Sequence, residues 1–353
     1  MLLYDYNFVS KLDKLPIFVT GVAGFIGAAL VKKLLLAGEN VIGIDNLNSY
    51  YDVKLKKARL QNIFNSLGTL PGTFKFYQID LQDYKQLDEL LKESLSNVFV
   101  HLGAQAGVRY SITNPRSYLD SNLIGFFNIL ELARKFDINN LIYASSSSVY
   151  GGNTNIPFNE EDQVNHPVSL YASTKKSNEL MAHSYSHLYD IPCTGLRFFT
   201  VYGPWGRPDM APMIFAKAIL NNEPIQVFNH GKMKRDFTYI DDIVEGIFRC
   251  CYKPATIDNK FDSLKPSAST SFAPHRIFNI GNSQPVELLY FIELLETSLD
   301  RKAKKIFKSM QMGDVVDTAA DTRLLNSWVN FKPKTSIEKG VELFTKWYIG
   351  YHK

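Results

Sequence analysis

Apolar residues fall into short runs that alternate with longer amphipathic segments, and this alternation extends from Pro16 to about Phe199. Short apolar runs separated by helical segments are typical of a parallel sheet whose strands are joined by helices. We therefore predict an α/β fold with a doubly wound parallel sheet. The predicted strands are residues 17–20, 41–45, 75–80, 98–102, 141–145 and 194–198.

Helical periodicity appears between these strands. Residues 30–37 stop at Gly38, which suits a helix end, and residues 115–136 and 168–189 also carry apolar positions at helical spacing. After Tyr202 the pattern becomes irregular, and the polar residues 265–271 predict a surface loop. The expected organisation is an N-terminal extension at 1–14, the sheet domain at 15–200 and a smaller mixed α/β lobe at 201–353.

Composition narrows the class of protein. With 353 residues, 45% of them hydrophobic, the chain is able to bury a substantial core. Its 39 basic and 35 acidic residues are intermixed, so no basic stripe predicts a nucleic-acid partner. The first residues lack the order of a signal peptide, and no apolar stretch reaches the roughly 18 residues of a membrane span.

Cysteine and histidine usage adds two expectations. Cys193, Cys250 and Cys251 are an odd set with two adjacent members, which does not form a disulfide framework and favours a cytoplasmic location. The seven histidines show no metal-ligand spacing, so we predict no metal site.

A glycine loop supplies the first candidate chemistry. Gly21, Gly24 and Gly27 follow the first predicted strand and open a helical segment that begins Phe25-Ile26. In this context the glycines permit a tight turn, close approach of a pyrophosphate and close helix packing, while the helix N-terminus attracts the anion. The sheet domain is thus predicted to be a dinucleotide-binding Rossmann domain.

Strand ends supply the other cofactor candidates. The carboxylate of Asp45 suits a ribose 2′-hydroxyl and repels a 2′-phosphate, so we predict NAD rather than NADP. Asp80 ends the third strand and either meets the adenine or is a solvated strand-end carboxylate. Small residues after the fourth strand allow a loop to approach the cofactor. That loop is Leu102, Gly103, Ala104 and Gln105.

Tyr171 and Lys175 are the strongest catalytic candidates. In a helix over 168–189 they lie one turn apart on the same face, so that the ammonium favours ionisation of the phenol. A hydroxyl from the preceding serine run, Ser145 to Ser148, can bind or relay the proton. The alternative is a surface pair on a helix.

The order of these motifs resembles the extended short-chain dehydrogenase/reductase superfamily, over residues 16–345. More specific strings are similar to those of UDP-glucuronate 4-epimerases within the NAD-dependent epimerase/dehydratase family. They are IDNLNSYYD at 44–52, HLGAQAGVRY at 101–110, ASSSSVYG at 144–151 and LRFFTVYGPWGRPDMA at 196–211.

The resemblance implies bound NAD, a UDP-hexuronic acid substrate and inversion at C4 through a transient 4-keto sugar. It assigns Ser146, Tyr171 and Lys175 as the catalytic residues, with Ser145 and Ser147 as alternatives to Ser146. Lys175 is expected to lower the proton affinity of the phenol and to hold the nicotinamide ribose. Further cofactor contacts are expected from Asn46, Leu81 and Phe198, although Phe198 also suits ordinary core packing.

The same resemblance implies a substrate site and a reaction type. Related dehydratases carry Asp-Glu, and uronate decarboxylases a Glu, where this chain has Ser147 and Ser148, so plain epimerisation is favoured. Neutral donors there suit a carboxylate, and arginine suits a diphosphate. The expected substrate residues are Arg109, Ser147, Ser148, Thr200, Arg207, Arg235 and Asp314.

Several points stay open on the sequence. A UDP-glucose or UDP-N-acetylhexosamine 4-epimerase is the near alternative, whereas a regulatory protein on a relict fold conflicts with the intact Ser-Tyr-Lys set. Gly103 stands where the resembled family usually has alanine, and Met312 replaces a common proline. The family implies a homodimer formed through the helices at 115–136 and 168–189.

Overall fold

The structure is a computed structural model that describes residues 15–310 and 316–352. The predicted N-terminal extension at 1–14 and the substrate candidate Asp314 lie outside the described residues.

The strands are short and most are buried. In chain order they are β1 Ile17–Thr20, β2 Val41–Ile44, β3 Phe74–Tyr77, β4 Val98–His101, β5 Asn140–Ser146, β6 Cys193–Phe198, β7 Thr200–Tyr202, β8 Pro224–Val227, β9 Lys234–Tyr239, β10 His275–Ile280, β11 Pro285–Glu287 and β12 Lys304–Phe307.

Helices connect most of these strands. In chain order they are α1 Phe25–Leu36, α2 Val53–Phe64, α3 Tyr84–Ser94, α4 Tyr110–Thr113, α5 Pro115–Tyr118, α6 Gly125–Lys135, α7 Leu170–Tyr189, α8 Ala211–Leu220, α9 Ile240–Cys251, α10 Leu288–Leu299, α11 Arg323–Val329 and α12 Ile337–His352.

Seven strands form one parallel sheet in the order β10-β6-β5-β4-β1-β2-β3. Helices cover both faces, with α1 and α9 packed on one side and α3, α6 and α7 on the other. Neighbouring strand residues alternate between these layers, since Phe18 joins the second core and Val19 the first. The chain reverses its winding direction between β1 and β4, which places a crevice at the carboxyl ends of these strands.

The predicted doubly wound sheet is confirmed, and all six predicted strands occur with small shifts of their ends. The seventh strand, β10, was not predicted. It comes from beyond residue 200 and pairs with β6, with Ile277 beside Gly195. The chain therefore leaves the large sheet after β6 and returns to it once.

Two small sheets form beside the large one. The first contains β11, β9 and β7, with mixed strand directions, and the second contains β12 and β8. Only Phe199 separates β6 from β7, so the end of the large sheet leads directly into the smaller one. Residues at this junction therefore lie beside the crevice.

Helical structure over 115–136 is interrupted by a π-helical segment at Leu119–Ile124. Its buried Asn122 accepts from the Gln105 amide at 2.8 Å and donates to the Gln105 carbonyl at 3.0 Å. The wider turn thus directs a polar side chain inward to bind the loop after β4. The helix predicted over 168–189 begins at Leu170, because Ser169 caps it by accepting from the Ala172 amide at 3.1 Å.

Within the described residues, none of the helices has the length and apolar character needed to cross a membrane. In the same part of the chain, no group of three or more His, Cys, Asp or Glu side chains is arranged to hold a metal ion.

Candidate active site

A cavity of about 380 Å³ opens at the carboxyl edge of the large sheet. It brings together most of the predicted site residues from loops that are far apart in sequence. Those that line it are Gly21, Gly24, Phe25, Ile26, Gly27, Asp45, Asn46, Asp80, Leu81, Leu102, Gly103, Ala104, Gln105, Ser145, Ser146, Ser147, Ser148, Tyr171, Lys175, Phe198, Thr200 and Arg207.

The glycine loop forms one wall. Gly21 has a φ of +74°, and a Cβ at Gly27 would lie 2.1 Å from the Gly21 carbonyl oxygen. These two positions therefore require glycine. Gly24 is the N-cap of α1 and has no side chain to bond the first-turn amides, which leaves those donors available to an anion.

Acidic side chains are fixed at the ends of β2 and β3. Asp45 accepts from the Ala23 amide at 3.1 Å and from the Leu47 amide at 2.8 Å. Burial raises the pKa of the Asp45 carboxyl, and nearby Lys56 opposes this effect. Asp80 accepts from Asn46 Nδ2 at 2.8 Å, so both strand-end acids are held by hydrogen bonds.

The loop after β4 lies directly against the glycine loop. Gly103 donates its amide to Thr20 Oγ1 at 2.9 Å, and a Cβ at Gly103 would lie 3.0 Å from that same oxygen. Thr20 also bonds the buried His101 ring at 3.0 Å, and burial lowers the pKa of His101 to about 3. Glycine at position 103 therefore fits a close approach of two loops.

Strand β5 directs consecutive serines in different directions. Ser145 Oγ donates to the buried Glu179 at 2.7 Å, whereas Ser146 Oγ accepts from the Ser148 amide at 3.1 Å and lowers the pKa of the neighbouring Tyr171 phenol. The Ser146 hydroxyl thus acts on the phenol, whereas the Ser145 hydroxyl is bonded to Glu179 on α7.

The electrostatics of Tyr171 and Lys175 follow from burial. Burial raises the pKa of Tyr171, while the Ser146 hydroxyl and the Arg207 guanidinium lower it. Lys175 Nζ donates to the Ala144 carbonyl at 2.8 Å, and burial lowers the pKa of Lys175 to about 8. The lowering expected from Lys175 is thus supplied by Ser146 and Arg207, because the ammonium is directed at the strand.

Arg207 lies within a small polar cluster at the cavity wall. It bonds Asp209 through Nε at 3.0 Å and through Nη2 at 2.5 Å, and Tyr50 donates its hydroxyl to the same carboxylate at 3.0 Å. The Asp209 ion pair raises the pKa of Arg207 despite its burial. Tyr50 lies after β2 and Asp209 after β7, so the cluster joins the two sides of the cavity.

Arg59 was missed from the sequence. Its side chain, only 1% exposed, donates to the carbonyls of Ala23, Trp205 and Gly206 at 3.0, 2.7 and 3.0 Å. Neighbouring Lys56 lines the cavity and donates to Asn48 at 2.7 Å. Both lie on α2, shortly after the segment at 44–52, and the available signal was their three-residue spacing, which places two basic residues on one face of a helix.

Two predicted substrate residues do not line this cavity. Arg109 is exposed, and its guanidinium lies over the Phe228 ring at 5.7 Å. Arg235 donates to the carbonyls of Lys234 and Val316 at 2.9 and 2.7 Å. Their assignment to substrate remains a prediction.

The fold and site define a dinucleotide-binding enzyme with a Ser-Tyr-Lys set. The chain belongs to the NAD dependent epimerase/dehydratase family, whose model matches residues 17–281.

Three similar proteins illustrate the relationship. Protein CapI of Staphylococcus aureus is 52% identical over 96% of this chain and 100% of its own length. A probable UDP-glucuronate 4-epimerase of Rhizobium meliloti is 47% identical over 94% and 96% of the two chains. The structure of UDP-glucuronic acid 4-epimerase from Bacillus cereus, in complex with UDP-glucuronic acid and NAD, has a TM-score of 0.83 and 30% identity over 96% and 100% of the chains.

The buried ammonium predicts a pH effect on stability. The pKa of Lys175 falls from 10.5 to about 8 on folding, so the unfolded chain binds more protons between these values and stability rises with pH there. We expect the free energy of unfolding of the parent, relative to Lys175→Met, to increase by up to about 1.4 kcal/mol per pH unit in that window. Urea unfolding of both proteins at the two ends of this pH range measures the difference in their free energies of unfolding. A difference that does not change with pH would contradict the burial of a charged Lys175.

Proposed function

We propose that this protein is a UDP-glucuronate 4-epimerase, which interconverts UDP-glucuronate and UDP-galacturonate by transient oxidation at C4, rotation of the 4-keto sugar and hydride return. One observation carries the proposal: Ser146, Tyr171 and Lys175 meet in the same cavity as the glycine loop and Asp45. The similarity to UDP-glucuronate 4-epimerases over nearly the whole chain supports the choice of substrate.

The residues present fit an NAD molecule. The glycine loop leaves no room for a side chain at Gly27, and the first-turn amides of α1 are available to the pyrophosphate. Asp45 suits the adenosine ribose, and Lys175 and Phe198 lie at the nicotinamide end in this assignment. When bound, NAD supplies the hydride acceptor and, after rotation of the sugar, the hydride donor.

Proton transfer is assigned to Tyr171. Its phenolate takes the C4 hydroxyl proton and the phenol so formed later returns it, while Ser146 hydrogen bonds the reacting oxygen. Arg207 and Ser146 favour the phenolate against the effect of burial. Lys175 holds the end of β5 and contacts the nicotinamide ribose.

The cavity wall favours epimerisation over dehydration. Among its described lining residues the carboxylates are Asp45 and Asp80, which follow β2 and β3, and the sheet order separates those strands from β5 by β4 and β1. Ser147, Ser148 and Thr200 line the same cavity as Tyr171 and carry hydroxyl donors. We assign the substrate carboxylate to these donors.

The remaining substrate contacts are proposed at the edge of the smaller lobe. Arg207 borders the sugar, and Arg235 binds the diphosphate after its guanidinium exchanges the Val316 carbonyl for phosphate oxygens. Arg109 contacts the uronate or braces its loop, and Asp314 organises a substrate loop. In this division, residues 15–200 hold the cofactor and 201–353 mainly hold the substrate.

A product assay tests the function directly. Purified protein incubated with UDP-glucuronate, without added NAD, should yield UDP-galacturonate of unchanged mass, resolved by chromatography with mass detection. Tyr171→Phe should reduce turnover by roughly 10²- to 10⁴-fold, because it removes the proton acceptor, while NAD stays bound.

Other products distinguish the alternatives. A product lighter by carbon dioxide would contradict the carboxylate assignment. Conversion of UDP-glucose or UDP-N-acetylglucosamine, but not of UDP-glucuronate, would replace the proposed substrate with a neutral sugar. Full activity in Tyr171→Phe would remove Tyr171 from the reaction.

Cofactor choice tests the role of Asp45. Its carboxylate is held by two backbone amides, so a 2′-phosphate would meet a fixed negative charge. We expect cofactor-stripped protein to bind NAD more tightly than NADP, and Asp45→Asn to narrow that preference by about tenfold or more, equivalent to about 1.4 kcal/mol. Calorimetry on both proteins measures the ratio, and tighter NADP binding by the parent would overturn the assignment.

We also propose a homodimer and a cytoplasmic location. Apolar side chains are exposed along the 115–135 helical segment and α7, a pattern that suits a second copy of the chain. They include Leu119 at 37%, Ile124 at 44%, Phe127 at 45%, Leu180 at 58% and Leu188 at 65% exposure. The three cysteines are buried and free, which supports a reducing compartment.

Charge placed on this face should disrupt the dimer. Leu180→Glu with Leu188→Glu is expected to weaken association by at least about tenfold, because burying the new charges costs at least about 1.4 kcal/mol. Leu36→Glu, at an exposed position on α1, is the matched control. Sedimentation across a concentration series measures the effect, and a monomeric parent would refute the proposal.

A further inference from the structure

A third residue continues the catalytic face of α7. Tyr171, Lys175 and Glu179 follow one another at four-residue spacing, so their side chains project from the same side of the helix. The Glu179 side chain is only 1% exposed. No step of the proposed reaction uses this carboxylate. Because burying a charged group is costly, its position needs another explanation.

Glu179 connects the helix to two strands. Its Oε1 accepts from Ser145 Oγ on β5 at 2.7 Å and from Arg197 Nε on β6 at 2.8 Å. Its Oε2 accepts from Arg197 Nη2 at 3.0 Å. Both oxygens are therefore occupied by groups of the sheet, and the Arg197 side chain has no measurable exposure.

Arg197 is fixed from its other end as well. Its Nη1 donates to the Tyr150 hydroxyl at 3.1 Å, and that hydroxyl donates to Asn279 Oδ1 on β10 at 2.6 Å. The guanidinium also lies over the Tyr150 ring at 5.0 Å. The ion pair thus belongs to a buried network that extends across three neighbouring strands.

Three consecutive residues of β5 meet the same face of α7. The Ala144 carbonyl accepts from Lys175, the Ser145 hydroxyl donates to Glu179, and the Ser146 hydroxyl acts on Tyr171 by lowering the pKa of its phenol. The Ser145 contact lies between the two contacts that involve catalytic residues in the proposed function. A shift between helix and strand would therefore change all three contacts together.

Stability alone is a weak reason for such a pair. Removing two charges from water is costly, and buried ion pairs are often replaced by apolar side chains without loss of stability. Hydrogen bonds between ionised groups do impose a defined geometry. Here that geometry is imposed next to Ser146.

We propose that Glu179 and Arg197 are positioning residues for the proton transfer. Through Ser145 they fix the end of β5 against α7, which sets the position of the Ser146 hydroxyl relative to the Tyr171 phenol. The effect on proton transfer rests on the proposed function. The effect on the placement of β5 against α7 does not.

Other charged groups around the pair must be considered in any pH experiment. The groups that act on or face Glu179 are Lys176 on α7, Tyr143 on β5, Arg197 on β6 and His275 on β10. Those that face Tyr171 are Tyr118 on α5 and Arg207 after β7, whereas the Lys175 ammonium on α7 is directed at the Ala144 carbonyl. None of these side chains is altered by a substitution at Ser145.

Two substitutions test the hydrogen bond between Ser145 and Glu179 separately from the stability of the fold. Ser145→Ala removes only the hydroxyl that joins Glu179 to β5, and Glu179→Gln keeps an acceptor but removes the charge that holds Arg197. Lys176→Met is the matched control, because Lys176 contacts Glu179 at 3.3 Å from α7 itself and is not part of the strand connection. Ser145→Ala keeps the experiment decisive even where Glu179→Gln fails to fold.

The first readout is the pH profile of turnover by the holoenzyme. Loss of the Ser146 contact raises the pKa of Tyr171, because that contact lowers it. The acidic limb of kcat should move upward by about one pH unit in Ser145→Ala and Glu179→Gln, a loss of roughly tenfold on that limb, with KM nearly unchanged. Lys176→Met should follow the parent profile.

The second readout does not depend on turnover. Protein labelled with ¹³C at the tyrosine Cζ carbon gives a Tyr171 resonance, assigned by its loss in Tyr171→Phe. Ser145→Ala should shift this resonance at constant pH, and Lys176→Met should leave it in place. Lower thermal stability with an unchanged profile and resonance would overturn the inference, and so would equal effects in Lys176→Met. A shifted resonance in a protein that does not convert UDP-glucuronate would refute the proposed function and support the positioning role.

Discussion

Burial of charge at the carboxyl edge of the parallel sheet is the constraint on which the site depends. A buried charged group is costly unless it is paired or hydrogen bonded. Lys175 is bonded to a strand carbonyl, Glu179 to Arg197, and Asp45 to two backbone amides. Each charged group and its partner lie on different elements. The hydrogen bonds that these charged groups need therefore also determine how the helices and loops are placed around the cavity.

The same constraint joins the two sides of the cavity. Arg59 is buried on α2, yet its acceptors are carbonyls of the glycine loop and of the segment after β7. Tyr50 reaches Asp209 across the same gap, and Asp209 in turn holds Arg207. The segment from Tyr50 to α2 therefore bonds to both sides of the cavity, and it joins the side proposed for the cofactor to the side proposed for the sugar.

Local signals predicted the parts of the site that depend on nearby residues. The glycine loop, Asp45 and the Tyr171 spacing each occur within one strand-to-helix unit, and the six strands were placed to within a few residues. The seventh strand was missed because its pairing with β6 joins distant segments. Arg59 and Glu179 were missed for the same reason, since their partners belong to other elements. The four-residue spacing from Tyr171 to Lys175, continued by one more step, reaches Glu179 and would have indicated that it lies on the same face of the helix.

The proposed reaction needs both rigidity and space, and different side chains around the cavity supply them. One tyrosine exchanges a proton with the sugar before and after the sugar rotates. Its side chain must therefore stay fixed while the substrate moves. The hydrogen bonds from Lys175 to the Ala144 carbonyl and from Ser145 to Glu179 hold α7 against β5. Space for the rotating sugar is left by Ser147, Ser148 and Thr200, whose short side chains still offer hydrogen bonds. Larger or charged side chains at those three positions would restrict the rotation that inversion requires.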